Sequence, residues 1–221
     1  VIATPVPQLP LAFGLEPLGL LFGLIASSLW VITTIYAIGY MRGHNESNQT
    51  RFFVFFAVAI SATMGVALAA NLFTLFVFYE LLTLSTYPLA THAGTVEARQ
   101  GGRVYIGILI GTSMAFLLPA IIATWYLTGS TDFQVGGILS GKASGPVVGI
   151  LFALFVFGIG KAALMPFHRW LPAAMVAPTP VSALLHAVAV VKAGVFAILK
   201  ISVYIFGIDL LAQNGITDLL L

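Results

Sequence analysis

Leu72-Phe73-Thr74-Leu75-Phe76-Val77-Phe78-Tyr79-Glu80-Leu81-Leu82-Thr83-Leu84-Ser85-Thr86-Tyr87-Pro88-Leu89-Ala90-Thr91 is the stretch on which the fold turns. It supplies about twenty almost uninterrupted apolar positions, the length a helix needs to cross a bilayer. One carboxylate, Glu80, stands in their midst, about 12 Å from the start of the run at helical rise. Helical spacing adds Thr83 and Tyr87 to its face, three and seven residues further on. An oily helix therefore carries a polar stripe.

Five further runs of this kind flank it: Phe13 to Met41, Phe52 to Ala70, Tyr105 to Leu127, Val147 to Met165, and Val181 to Lys200. The remainder, Ile201 to Leu221, is apolar but broken by Asp209, Asn214, Gly215 and Asp218, a tail or the start of a seventh crossing. The runs are too long and too uniformly apolar for barrel strands, which alternate. Composition agrees: 60% of residues are hydrophobic, 7% are charged and the mean hydropathy is +1.06. Soluble domains carry roughly 25% charged residues, so the solvent of this chain is largely lipid. The sequence predicts an all-α, polytopic transmembrane bundle of about six to seven crossings. Residues 1–104 hold the N-terminal helices with the buried glutamate, residues 105–200 the lysine-bearing helices, and residues 201–221 the apolar tail.

Arginines fall in alternate loops: Arg42 and Arg51, then Arg99 and Arg103, then Arg169, against Lys142 and Lys200 on the other side. The positive-inside rule makes the arginine side cytoplasmic. The two glycosylation sequons within His44 to Thr50 then lie on the wrong side and are accidental. Gly158-Ile159-Gly160-Lys161 is no phosphate loop, because Ala162 stands where Ser or Thr would bind magnesium. With no cysteine, disulfides, thiolate zinc sites and cysteine-held clusters are excluded. A net charge of +2 with no basic run argues against nucleic acid. The chain opens on Val1 without a basic start and short apolar core, which reads as a processed or truncated chain without a signal peptide.

Glu80 is not the sole charge at depth. Lys161 lies deep in the fifth run and Lys192 midway along the sixth. Each costs at least roughly 2.5–3.5 kcal/mol at the bilayer centre, so such groups face the protein interior or a hydrated path. Lysine suits proton work. Desolvation favours its neutral form and a nearby carboxylate its charged form, so displacing the partner releases a proton. His186 precedes Lys192 by six residues and lies about 120° from it around the helix, on an adjacent wall. Neither His92, at a helix end, nor His186 has a second histidine placed to hold haem. Gly158, Gly160 and Pro166 cluster around Lys161, and Pro172, Pro178 and Pro180 follow; proline removes a backbone donor and breaks a helix. Irregular backbone at membrane depth is tolerated where it is buried or lines a cavity, so the lysine helix is discontinuous. The plain alternative is a scaffold whose charges only hold helices together.

The run Lys161-Ala162-Ala163-Leu164-Met165-Pro166-Phe167-His168-Arg169-Trp170-Leu171-Pro172-Ala173-Ala174-Met175 resembles the signature of the antiporter-like, proton-conducting membrane subunits. So do Ala177-Pro178-Thr179-Pro180-Val181-Ser182-Ala183-Leu184-Leu185-His186-Ala187 and the segment Tyr79 to Leu89. Leu15-Glu16-Pro17-Leu18-Gly19 is similar to the family's lead-in to an earlier helix. Members include the large L-, M- and N-type subunits of respiratory complex I, membrane-bound hydrogenase subunits and the large subunits of Mrp-type cation/proton antiporters; the Glu80 segment looks closest to the D-type Mrp protein. The resemblance implies that Glu80 modulates the proton affinity of Lys161 and that protons pass by His186 and Lys192 towards a second half. Thr83, Tyr87, Pro166, His168 and Ser182 are implied as supporting polar or helix-breaking positions. It also implies other membrane subunits as partners, protons with Na+ or another monovalent cation as cargo, and a bacterial or archaeal cytoplasmic membrane. No cofactor or metal is expected, and the chain is expected to be a transporter subunit, not itself catalytic. The family has about fourteen helices; this chain resembles the third leading helix and the first repeat, as a fragment or split subunit would.

Overall fold

The computed structural model describes residues 1–6, 9–143 and 145–215. A small antiparallel hairpin, β1 (Ala3–Val6) and β2 (Leu9–Leu11), opens an otherwise helical chain. Then follow α1 (Pro17–Gly43), α2 (Gln49–Ala67) and α3 (Leu72–Ala90). The next crossing joins α4 (Val96–Thr112) through a π-helical turn at Ser113–Leu117 to α5 (Leu118–Thr128). Helix α6 (Gly145–Gly158) leads into a short 3-10 turn at Gly160–Ala162. A broken segment passes through α7 (Trp170–Ala173). The last crossing runs from α8 (Thr179–Ala183) through a π-helical turn at Leu184–Val188 into α9 (Val190–Ile201), with a further π-helical turn at Ser202–Phe206. Helix α10 (Ile208–Gln213) is too short to cross a membrane.

Five of these helical stretches are long and apolar enough to cross, and the α6 arm with its break makes the sixth. The chain is a polytopic membrane bundle. Its helix starts follow from local chemistry: Asn71 caps α3 by accepting from the Thr74 amide (2.7 Å), and Thr95 caps α4 by accepting from the Ala98 amide (3.1 Å).

Four expectations need correction. The fourth crossing begins at Val96, not Tyr105, because the Thr95 cap recruits a polar first turn; Arg99 and Arg103 therefore ride on α4 and not in a loop. The lysine helix ends at Gly158, not Pro166. A side chain at Gly158 would collide with the backbone of Leu117 and one at Gly160 with Thr112, so close packing on the crossing of α4 and α5 sets the break. The sixth crossing extends past Lys200 to Phe206, and Lys200 is a buried helix residue, not a loop charge. A seventh crossing does not begin at Ile201; Gly207, at φ +82°, turns the chain into α10, and residues 216–221 lie outside the described residues.

Both ends of the bundle are organised by backbone bonds. At one end, the Gly14 amide donates to Leu68 O (2.9 Å) and the Ala70 amide to Ala12 O (2.9 Å). The segment 129–143 folds over the same end, with the Leu72 amide donating to Thr131 O and the Ile138 amide to Ile205 O (both 2.9 Å). At the opposite end His92 meets the ring of Phe52 (centroids 5.3 Å apart), and Gly101 of α4 packs on the Ala173 backbone. These contacts bring Arg51, Arg99, Arg103 and Arg169, all exposed, to the same end.

Candidate functional site

The break after Gly158 delivers Lys161 into the centre of the bundle, where it is wholly buried. Its Nζ donates to the Tyr79 carbonyl (2.8 Å) and to Thr83 Oγ1 (2.5 Å), and sits 3.2 Å from the centroid of the Tyr79 ring. The Lys161 amide donates to the Tyr79 hydroxyl (3.1 Å). Around the break, Trp170 Nε1 donates to Gly160 O (2.9 Å), and Ala163 adopts φ +57°. Gly194 of α9 lies so close to the Lys161–Ala162 peptide that no side chain would fit. The lysine is thus gripped by α3 on one side and α9 on the other. Burying an ammonium without a counter-charge costs several kcal/mol, yet its direct partners are two neutral oxygens and an aromatic face.

Glu80 does not pair directly with Lys161. No carboxylate lies within ion-pair distance of Lys161 among the described residues, and one Glu80 oxygen, Oε1, is buried without a hydrogen-bond partner. Of the stripe read from helical spacing, Thr83 meets Lys161, while Tyr87 is half-buried against Gly102. His186 is half-buried in the π-helical turn, and its Nε2 lacks a partner among the described residues. Lys192 is exposed on α9, lining an apolar groove of about 390 Å³ between α1 and α9 with Leu21, Phe22, Ile25 and Val195. Pro166 and His168 are exposed beyond the break, and Ser182 is half-buried in α8.

Sequence reasoning missed a second buried lysine. Lys200 is also wholly buried; its Nζ lies 3.1 Å from Glu16 Oε2 and donates to Ala69 O (2.6 Å) and Ala67 O (3.3 Å). The rings of Phe133 and Phe196 flank it at 4.6 and 5.7 Å. This is the one ion pair among the described residues, and it joins the start of the first crossing to the last. Also missed was the contact between Thr86 and the Tyr105 hydroxyl (2.5 Å), both wholly buried. Outside the membrane spans, His92 is buried with neither ring nitrogen bonded among the described residues. Burial pushes its proton affinity below that of an ordinary imidazole, and Arg51 adds to the effect while Glu46 opposes it. No cluster of three His, Cys, Asp or Glu side chains suited to a metal occurs among the described residues.

A buried lysine at a helix break is thus packed between a crossing that carries Glu80 and one that carries Lys192. Residues 69–217 match the family described as NADH:quinone oxidoreductase/Mrp antiporter, TM. The chain belongs to this family. Among the antiporter family's members, a probable K(+)/H(+) antiporter A/B subunit of Rhizobium meliloti (strain 1021) is 35% identical over 98% of this chain and 22% of its own length. The chloroplastic NAD(P)H-quinone oxidoreductase subunit 5 of Ipomoea purpurea is 31% identical over 86% of this chain and 26% of its own. In three dimensions the chain is similar to the Mrp complex from Dietzia sp. DQ12-45-1b, with a TM-score of 0.84 and 28% identity over 98% of this chain and 24% of that one. This antiporter-family chain therefore spans about a quarter of the length of each of these relatives. The two sequence relatives carry A/B and 5 designations, not the D type that the Glu80 segment resembles.

Proposed function

We propose that this chain is the lysine-bearing part of a proton-translocating subunit in a multisubunit Mrp-type antiporter. It would exchange protons for Na+ or another monovalent cation across a bacterial or archaeal cytoplasmic membrane. Glu80, Lys161, His186 and Lys192 form its path, in that order. The observation that carries the reading is Lys161: a wholly buried lysine at a helix break, held by Tyr79 O and Thr83 Oγ1 and not by a carboxylate. A scaffold lysine is expected to be neutralised as Lys200 is, by an ion pair. Among the partners of Lys161, Thr83 Oγ1 can accept a hydrogen bond from the ammonium or donate one to the amine.

A second reading places the same path in a redox-driven complex, in keeping with the likeness to a quinone oxidoreductase subunit. One experiment separates the two. Inside-out vesicles containing the intact parent complex are given a pH gradient, and its collapse is followed by dye after adding Na+, K+ or neither. Cation-dependent collapse that disappears in Lys161→Ala is the expected result. Proton pumping that needs an electron donor and fails in the same variant selects the redox-driven reading. Wild-type behaviour of Lys161→Ala in both assays refutes the path.

A further inference from the structure

His92 has no part in the path above, and its surroundings are unusual for an imidazole. It follows the last turn of α3, beyond the membrane span, and is only 5% exposed. Its ring meets the buried Phe52 ring edge-on (centroids 5.3 Å apart), and Phe52 in turn stacks on the buried Phe56 (5.6 Å). Neither ring nitrogen has a hydrogen-bond partner among the described residues. An imidazole so placed has lost its bonds to water and gained none, which calls for an explanation. The ring lies where three pieces of chain meet: the end of α3, the start of α2 and the connection 44–48 between α1 and α2. Gln49 Nε2 ties that connection to its flanks by donating to Met41 O and Glu46 O (both 3.1 Å). Arg51 of α2 and Glu46 of the connection are the charged groups that act on His92, beside the Ser47 backbone. His44, on the same connection, is exposed and stacks on Tyr40 (4.2 Å), while Glu97, Arg99 and Arg103 of α4 are exposed at this end.

We propose that His92 is a pH-sensitive latch at the arginine-bearing end: uncharged, it holds the α1–α2 connection and the start of α2 against the end of α3, and protonated, it lets them go. The latch rests on the packing of this end alone and is independent of the lysine path. An imidazolium in the closed place would be stripped of water, packed on Phe52 and exposed to the field of the Arg51 guanidinium. Swung out into water it regains its hydration. Glu46 and the Ser47 backbone favour the charged ring but do not reverse the balance, which stays on the side of the neutral form. The open state therefore binds a proton more readily than the closed one. Above the ordinary imidazole value of about 6.5 the latch has its full strength. As pH falls below that value, the opening constant rises roughly tenfold per pH unit, until the closed ring is protonated too.

The test is hydrogen–deuterium exchange of the intact parent complex in nanodiscs, at about pH 7.5 and about pH 5.5, on either side of the imidazole range. Rates are corrected for the intrinsic pH dependence of amide exchange and read over residues 44–56 and 88–95. Wild type should lose roughly tenfold in protection over both segments on acidification. His92→Phe, which fills the same apolar place with a ring that cannot titrate, should keep its protection. Arg51→Gln should shrink the loss and Glu46→Gln should enlarge it, because the two charges act on the ring with opposite sign. A histidine that only fills space would not answer to both in this way. His44→Gln, which removes the exposed imidazole of the same connection, should leave the loss as in wild type. Equal pH dependence in His92→Phe and wild type overturns the latch, and so does a wild type equally protected at both pH values. Where His92→Phe fails to assemble, the opposed effects of Arg51→Gln and Glu46→Gln decide, and their absence overturns the latch as well.

Discussion

At the scale of single residues, the molecule solves the same problem twice in different ways. Lys200 is given a carboxylate, two carbonyls and two aromatic faces; Lys161 is given a carbonyl, a hydroxyl and one aromatic face. The first arrangement is a closed neutral pair, so its removal should cost stability. Truncating one member of a buried pair typically costs about 3–5 kcal/mol, while replacing both with apolar groups can be neutral. Glu16 keeps 19% of its side chain exposed, which moderates the loss to roughly 1–3 kcal/mol for Glu16→Ala. Lys200→Met should cost less than Glu16→Ala, because the carboxylate left behind can reach water whereas the lysine cannot. Thermal unfolding of the detergent-solubilised complex checks the order; equal stability of Glu16→Ala and wild type would contradict it. Helical spacing within α3 puts Thr83 on the face of Glu80, but its meeting with Lys161 is a tertiary contact that spacing does not show. The Glu16–Lys200 pair was not legible, since each residue sits at the edge of an apolar run and nothing local joins two positions so far apart in the chain.

At the scale of elements, six crossings and their alternation are written in hydropathy, because lipid demands about twenty apolar residues each time. The place of the helix break is not. Proline is the loudest local signal, and Pro166 drew the expectation, yet the chain leaves the helix at Gly158. Glycines at 158 and 194 let neighbouring backbones approach and Gly160 makes room for the Thr112 side chain, a tertiary demand that composition shows only as permissive residues. The contact of Gly194 with the Lys161–Ala162 peptide is the most consequential of these, since it fixes where the lysine stands. A methyl group at Gly194 should push the break away from α9 at a cost of about 1–3 kcal/mol, as overpacking does. Gly194→Ala is therefore expected to lower the thermal midpoint of the complex and slow proton flux together. Gly107→Ala, where nothing lies within reach of an added methyl, is the control that should do neither. Matching behaviour of the two variants would mean that α9 does not set the position of Lys161.

At the scale of the whole molecule, the arginine count and the packing speak to the same question by separate routes. The sequence assigns an inner face from loop charges, although α4 takes Arg99 and Arg103 out of the loop and onto the helix. The assignment survives that change, because a charge in the first turns of a crossing still lies at its end, and loops are counted together with the flanking turns. Packing then places Lys200, Glu16 and the segment 129–143 at the opposite end. The absence of cysteine from the 221 residues makes the arrangement directly readable. Ser47→Cys sits in the exposed connection between α1 and α2, and Val135→Cys in the exposed segment after α5. Three further stretches (α2, α3 and the joined α4 and α5) separate the two positions, an odd number of crossings. A membrane-impermeant maleimide should therefore label Ser47→Cys only in inside-out vesicles and Val135→Cys only in right-side-out ones. Labelling of both from one face would remove a crossing between the two positions. Exchange of the two results would keep the bundle but turn it over, so that the end bearing Arg51, Arg99, Arg103 and Arg169 would face outwards.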